Sequence, residues 1–352
     1  MPGVRPEPTG APADPTGVSA AATLAGLAAQ QIHRIAVPTP FLVGRVNTYL
    51  IQDDPLTLVD GGPNSATSMQ ELEQGLAALG HAVEDLGRIV ITHQHMDHIG
   101  LVQLLADRAG AEVCALAALA PWLADYSGRM EEDDRFAEAV MERHGIPREL
   151  RLGLRAVTQG FRAWGAAARV DTPLSPGDTL AFRDRTWTVH HRPGHSPSDT
   201  VFEDRARRML LGGDHLIGHI SSNPLISRPL EGGDPDDRPR ALIGYLESLR
   251  ATRAMELDVV LPGHGEPVTE HRALIDERLR MHERRATKIA KLLADGPVTA
   301  YEIAQFMWGN VAVTQAYLTL SEVLGHVDLL LARGESVEER DDAGVSRFSL
   351  PG

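Results

Sequence analysis

The chain carries one cysteine in 352 residues, Cys114, so no disulfide can form within it. Aromatic residues make up only 5% of the sequence, and no apolar run approaches the ~18 residues that a membrane-crossing helix needs. Cations are also short: 34 Lys and Arg stand against 48 Asp and Glu. The resulting net charge of -14 disfavours long polyanions, whose binding depends on Lys and Arg releasing condensed counterions. Neither a membrane nor a nucleic acid is therefore an expected partner. What the chain does have is a 43% hydrophobic content, ample for one large domain and a small one. Its Pro-, Gly- and Ala-rich start predicts a disordered tail over residues 1–30. Within that stretch, Ala20 to Gln31 lacks the basic flank and strongly apolar core of a signal peptide and reads as a short helix or tail. A cytoplasmic location is expected.

The densest chemistry lies in Ile91-Thr92-His93-Gln94-His95-Met96-Asp97-His98-Ile99-Gly100, directly behind the apolar run Arg88-Ile89-Val90-Ile91. Three imidazoles and a carboxylate in six positions form a set suited to zinc, iron or manganese. On a continued strand His98 would point away from His93, His95 and Asp97, whereas a turn lets all four converge. Further candidate ligands close other short apolar runs: His195 after Arg192-Pro193-Gly194, Asp214 after Met209-Leu210-Leu211-Gly212-Gly213, and His264 after Val259-Val260-Leu261-Pro262-Gly263. Asp60 ends the earlier run Leu56-Thr57-Leu58-Val59 in the same way. Sites held on the loops of a rigid sheet are built like this.

These motifs resemble the metallo-beta-lactamase superfamily of hydrolases, over roughly residues 31 to 270, and within it the lactamase-beta-2-like and glyoxalase II-like branch. The resemblance implies an α/β fold, a four-layer αββα sandwich with a C-terminal winged-helix domain. It also implies that His93, His95 and His195 hold a first metal, that Asp97, His98 and His264 hold a second, and that Asp214 bridges them. Asp60 then matches a carboxylate that orients a ligand histidine. Two divalent ions, Zn2+ foremost with Fe or Mn as alternatives, would lower the pKa of a bridging water to near neutrality, so that hydroxide serves as nucleophile. Asp97 and Asp214 are the acids expected to serve the chemistry, and no serine or cysteine nucleophile is needed. Cys114, in the apolar stretch Val113-Cys114-Ala115-Leu116, reads as a small buried hydrophobe. His190 and His191 face opposite ways on a strand and are not expected to be ligands.

Between Leu116 and Val170 the pattern turns helical, with Trp122, Tyr126, Met130, Phe136, Met141, Phe161 and Trp164. This segment, 116–170, is expected to form a lid with an apolar wall over the site. His215, Ser222 and Asn223, which follow Asp214, are candidate substrate contacts. From His271 onward an amphipathic helix over 274–293 is followed by a helix that Thr299 and Glu302 open as a capping box, and by a third over about 313–333. A hairpin signal at Asp341-Asp342-Ala343-Gly344 completes a winged-helix pattern over 271–352. That region has ten Lys and Arg against twelve Asp and Glu, which speaks against DNA and for packing, homodimer formation or a wall of the substrate cleft. The expected activity is hydrolysis of an ester, thioester or lactone bond in a small acyl substrate. The alternative is an endoribonuclease or phosphodiesterase of the lactamase-beta-2-like type.

Overall fold

A computed structural model of the chain describes residues 20–352. Of the tail expected over 1–30, residues 1–19 lie outside that range, and the end is not disordered: Ala20–Ala29 is helix α1, the short-helix alternative for Ala20 to Gln31. Its alanine-rich sequence favours a helix. Leu27, with Leu24 beside it, anchors the helix in the apolar core between the two sheets.

The first sheet has six strands in sequential order, β1 (Ile32–Val37), β2 (Val46–Ile51), β3 (Thr57–Val59), β4 (Arg88–Val90), β5 (Glu112–Leu116) and β6 (Thr172–Leu174). It is antiparallel from β1 to β3 and parallel from β3 to β6. The second sheet has five strands, β7 (Thr179–Ala181), β8 (Thr186–His191), β9 (Thr200–Asp204), β10 (Met209–Gly213) and β11 (Val259–Pro262), laid out in the order β11-β10-β9-β8-β7. Both faces of β2, β9 and β10 are buried, and β10, Met209-Leu210-Leu211-Gly212-Gly213, accordingly shows no polar alternation.

The sheets face each other across a core that joins Tyr49, Ile51, Val59 and Val90 to Trp187, Val189, Phe202 and Leu211. Cys114 lies in the same core, and burial pushes its thiol up to about 12, as a small hydrophobe requires. Helices α2 (Ala66–Ala78), α3 (Met96–Ile99), α4 (Val102–Ala109) and α5 (Ala120–Ala124) cover the first sheet, with Leu72, Leu76, Val102, Leu105 and Leu123 packed against Leu58, Ile89 and Val113. Over the second sheet, α8 (Ala241–Arg253) and α9 (His271–Leu293) bury Leu242, Tyr245, Leu249 and Ile275 against Val201, Leu210 and Val260. Helix, sheet, sheet and helix make the expected four layers.

The remaining helices are α6 (Tyr126–Arg143) and α7 (Arg148–Phe161) in the 116–170 segment, then α10 (Ala300–Trp308), α11 (Val311–Thr314) and α12 (Ala316–Ala332), followed by the hairpin β12 (Val337–Arg340) and β13 (Ser346–Ser349). The predicted capping box is present: Thr299 Oγ1 accepts from Glu302 N at 3.1 Å while Glu302 Oε2 accepts from Thr299 N at 2.7 Å. The helix expected from 313 instead breaks at Gln315, between α11 and α12. Phe136, Val140 and Met141 of α6 share one apolar core with Ile289, Ile303, Leu320, Val323 and Leu324 of α9, α10 and α12. Residues far apart in sequence thus build one helical body beside the sandwich. Among the described residues no helix is long and apolar enough to cross a membrane.

Candidate metal centre

Every candidate ligand sits on a turn that leaves the end of a strand. β4 delivers His93, and the chain turns at once into α3, which carries Asp97 and His98 back beside it. β8 delivers the 192–199 turn with His195, β10 delivers Asp214, and β11 delivers His264. The 93–98 and 193–199 turns are joined by Ser198, whose Oγ accepts from Gln94 N at 3.2 Å. Asp199 shapes the second turn by accepting from Ser196 N at 2.9 Å and from Ser196 Oγ at 2.7 Å. Burial raises the Asp199 pKa.

The side chains converge in two groups: His93, His95, His195 and Asp214, and Asp97, His98 and His264, with one ligand-type atom from each residue within 4.8 Å of the others in its group. Asp214 stands between the groups, with Oδ1 3.5 Å from His98 Nε2, and Oδ2 3.5 Å from His195 Nε2 and 3.4 Å from His264 Nε2. Asp97 Oδ2 lies 3.3 Å from His264 Nε2. The structure thus brings together all seven residues singled out by sequence.

Outer hydrogen bonds fix the direction of three rings. His98 Nδ1 donates to Asp60 Oδ2 at 2.8 Å, and His264 Nδ1 donates to the Arg45 carbonyl at 2.9 Å. Thr92 Oγ1 gives its proton to Asp60 Oδ2 at 2.8 Å, so it accepts from His93 Nδ1 at 3.0 Å. Each bond turns the opposite nitrogen, Nε2, toward the centre, and all three of those nitrogens are buried without a hydrogen-bond partner. Asp214 Oδ1 is buried and unpartnered as well. Native cores satisfy nearly all such atoms, so a convergent set of unsatisfied atoms fits divalent cations. Space is reserved for them too. A Cβ on Gly263 would lie 2.2 Å from Asp214 Oδ1 and 2.7 Å from His98 Cε1, which restricts that position to glycine.

The electrostatics agree. Burial lowers His93 well below its ordinary pKa and takes His95 down to about 3, so both rings are neutral donors. For Asp97 and Asp214 burial acts to raise the pKa, but the neighbouring His98 and His264 outweigh it and keep both carboxylates ionised. His98 and His264 are driven the other way, His98 well above its ordinary value and His264 to about 9, because Asp214 and the other carboxylates outweigh the effect of burial. Without a cation these two rings each hold on Nε2 a proton that a bound metal would displace.

Of the three candidate substrate contacts, His215 lies away from the cavity beside the cluster, while Ser222 and Asn223 line it. His215 is fully buried, its Nε2 paired with Thr252 Oγ1 at 2.8 Å, and it does not line the cavity beside the cluster. Ser222 Oγ donates to the Asp214 backbone oxygen and Asn223 Nδ2 donates to the Leu318 carbonyl at 3.3 Å, which ties the loop down, while Asn223 Oδ1 is buried without a hydrogen-bond partner. His190 pairs with Glu203 and His191 with the Pro197 carbonyl, each at 2.9 Å, away from the cluster as expected. Sequence reasoning missed Thr92, which joins Asp60 to His93, and Asp199; neither carries a signal beyond standing next to a ligand turn.

That cavity is about 580 Å3 and opens onto His95, Asp97, His195, Asp214 and His264. Trp122, Met130, Phe136, Met141 and Leu154 from the 116–170 segment wall one side. Ile217, Ile220, Leu225 and Ile226 line another, and Tyr317 and Leu318 at the start of α12 close in from the C-terminal helices.

This fold and this histidine-aspartate cluster define a metallo-hydrolase. The family model of the metallo-beta-lactamase superfamily matches residues 42–264, and the chain belongs to that superfamily. It is similar to the probable metallo-hydrolase YqjP of Bacillus subtilis, 33% identical over 304 residues that cover 86% of this chain and 93% of that protein. Over a shorter stretch it resembles human acyl-coenzyme A thioesterase MBLAC2, 28% identical over 188 residues, 48% of this chain and 58% of the relative. Among solved structures, a beta-lactamase domain protein from Burkholderia ambifaria aligns with a TM-score of 0.77 at 26% identity, covering 91% of this chain and 92% of the other. A metallo-beta-lactamase family protein from Thermus thermophilus, at a TM-score of 0.74 and 24% identity over 91% and 99% of the two chains, shares the fold.

Proposed function

We propose that the protein hydrolyses a thioester or ester that carries an apolar acyl group, using two divalent metal ions, zinc foremost, held by the seven clustered side chains. The observation that carries this reading is the apolar cavity that opens directly onto both ligand groups. Bound there, a pair of divalent ions supplies a nucleophile from water at neutral pH and polarises the scissile carbonyl. His93, His95 and His195 would hold one ion, Asp97, His98 and His264 the other, and Asp214 would reach both. Asp60, Thr92 and the Arg45 carbonyl keep the ligand rings oriented, so the donor set is formed before substrate arrives. The walls from Trp122 to Leu318 desolvate the acyl chain and align its carbonyl with the cluster.

The cavity's charged groups neutralise one another. Arg155 pairs with Glu131 and Glu138, and Arg228 pairs with Asp133 and Glu132. A ribonucleotide backbone would meet apolar walls and committed cations, which favours the acyl substrate over the endoribonuclease alternative. Two acyl thioesterases to which the chain is similar, human MBLAC2 and the atrochrysone carboxyl ACP thioesterase of Aspergillus fumigatus, support the same bond type. The test is a substrate panel on metal-analysed protein: acyl thioesters of increasing chain length, aryl esters, lactones and single-stranded RNA. Thioester turnover that rises with chain length is expected; cleavage of RNA alone would overturn the proposal.

A further inference from the structure

We propose that His282, Glu322 and His326 form a third divalent-cation site, apart from the catalytic cluster, that bolts α9 to α12. His282 projects from α9, while Glu322 and His326 stand one turn apart on α12, and all three are buried. One ligand-type atom from each lies within 4.8 Å of the other two. The ring of His326 is held as metal-bound imidazoles are held: Nδ1 donates to the Glu322 backbone carbonyl at 2.6 Å, which leaves Nε2 with its lone pair as an acceptor. That lone pair accepts from His282 Nδ1 at 3.1 Å, and a cation would take the place of this proton once His282 carries its proton on Nε2 instead. Two nitrogens on one tetrahedral zinc stand about 3.3 Å apart, so a cation between them requires a shift of only a few tenths of an ångström.

The protonation states suit a cation. Burial lowers His282 to about 4 and also lowers His326, so both rings are neutral. Burial acts to raise Glu322, but Arg285 and the two histidines outweigh it and keep the carboxylate ionised. Arg285 pairs with Glu322 and so competes for the same carboxylate. It has an alternative position at hand, since its guanidinium already lies 6.0 Å from the Trp308 ring. Two imidazoles and one carboxylate select a borderline cation, Zn2+ before Mg2+ or Ca2+. A clamp here also stiffens the catalytic surroundings. Ser321, next to Glu322, accepts from Ile226 N at 3.4 Å, and the Tyr317 hydroxyl donates to the Ile226 carbonyl, so α12 holds the loop that follows Asp214.

The test is metal stoichiometry. A variant carrying His93→Ala, His95→Ala, Asp97→Ala and His264→Ala is treated with chelator, reloaded with Zn2+, desalted and analysed for metal, with melting temperature measured in parallel. It should retain one equivalent and melt higher with Zn2+ than without; both effects should vanish when His282→Gln or Glu322→Gln is added, and Arg285→Gln should tighten binding. A folded quadruple variant that holds no zinc overturns the site. Should that variant fail to fold, the count is made on the otherwise unchanged chain, where His282→Gln and His326→Gln should each remove one equivalent, and an unchanged count overturns the site. Failure of the two-metal catalytic reading would look different: a lower total, with the loss on His282→Gln intact.

Discussion

His98 Nδ1 donates to Asp60 Oδ2 at 2.8 Å, and the same carboxylate oxygen accepts from Thr92 Oγ1 at 2.8 Å while Oδ1 accepts from Thr92 N at 2.9 Å. Asp60 itself adopts φ 59°, in the left-handed region where a short polar side chain is tolerated, and this brings its carboxylate under the ligand loop. One buried carboxylate therefore orients two rings, His98 directly and His93 through Thr92. Asp60→Ala should weaken metal binding by roughly 10–100-fold without removing a ligand. Competition titration with a chromophoric chelator measures it, and wild-type affinity in the variant would show that the rings orient themselves.

Asp97 reaches only the second ligand group, through His264 Nε2 at 3.3 Å, whereas Asp214 approaches both groups. Asp97→Ala should accordingly cost one equivalent of metal and most of the activity, with the His93, His95 and His195 group still loaded. Elemental analysis and steady-state kinetics on one preparation decide the matter. Full metal content together with full activity would refute the binuclear assignment.

A pH effect on stability follows from Asp53 and Arg185, a buried pair that ties the end of β2 to the β7–β8 turn. Asp53 Oδ2 accepts from Arg185 Nε at 2.9 Å, and Oδ1 accepts from Asp54 N at 2.8 Å and Asp184 N at 3.2 Å. Burial acts to raise the Asp53 pKa, but the backbone N–H groups and Arg185 outweigh it, so the folded-state value lies below the ordinary one. The unfolded chain then binds more protons, and the pair's contribution is complete above about pH 4 and lost as pH falls through the folded-state pKa. Asp53→Asn should melt well below the wild type at pH 7, since it leaves Arg185 buried without its counter-charge, and the gap should narrow in acid. A gap of constant size from pH 7 to pH 3 would rule this out.

The candidate ligand cluster was legible in the sequence because its chemistry is local: four candidate ligands fall within six positions, and the others each follow a glycine at the end of a strand. The four layers were expected from the family resemblance, since strands such as β1 and β8 are buried only in part and their pattern alone does not stack two sheets. The walls of the cavity were only half legible. Trp122 and Phe136 stand out in a helical segment, but nothing in the sequence places Tyr317 and Leu318 beside them, because that contact arises from the core that α6 shares with α9, α10 and α12. His282, Glu322 and His326 were equally hidden, being divided between two helices whose pairing is tertiary. Ser222 and Asn223 had the polarity of substrate contacts and do line the cavity, but their bonds to the Asp214 and Leu318 carbonyls, which hold the loop, were not legible.

The cavity wall makes the proposed substrate testable at two positions. Trp122 and Phe136 are each about 3% exposed, and both line the cavity that leads to the ligand groups. They differ in what else they hold: Trp122 Nε1 donates to Asp133 Oδ2 at 3.0 Å, while Phe136 also packs in the core formed with α10 and α12. Phe136→Ala is therefore expected to cost ~3–5 kcal/mol of stability, and Phe136→Leu, which retains most of the packing, separates folding from specificity. If acyl chains run along this wall, Trp122→Ala and Phe136→Leu should lower kcat/KM for long-chain acyl thioesters by roughly 10–200-fold while leaving the acetyl thioester unchanged. The loss should fall mainly on KM, because the wall touches the chain and not the reacting carbonyl. Equal losses for long and short chains would place the acyl group elsewhere.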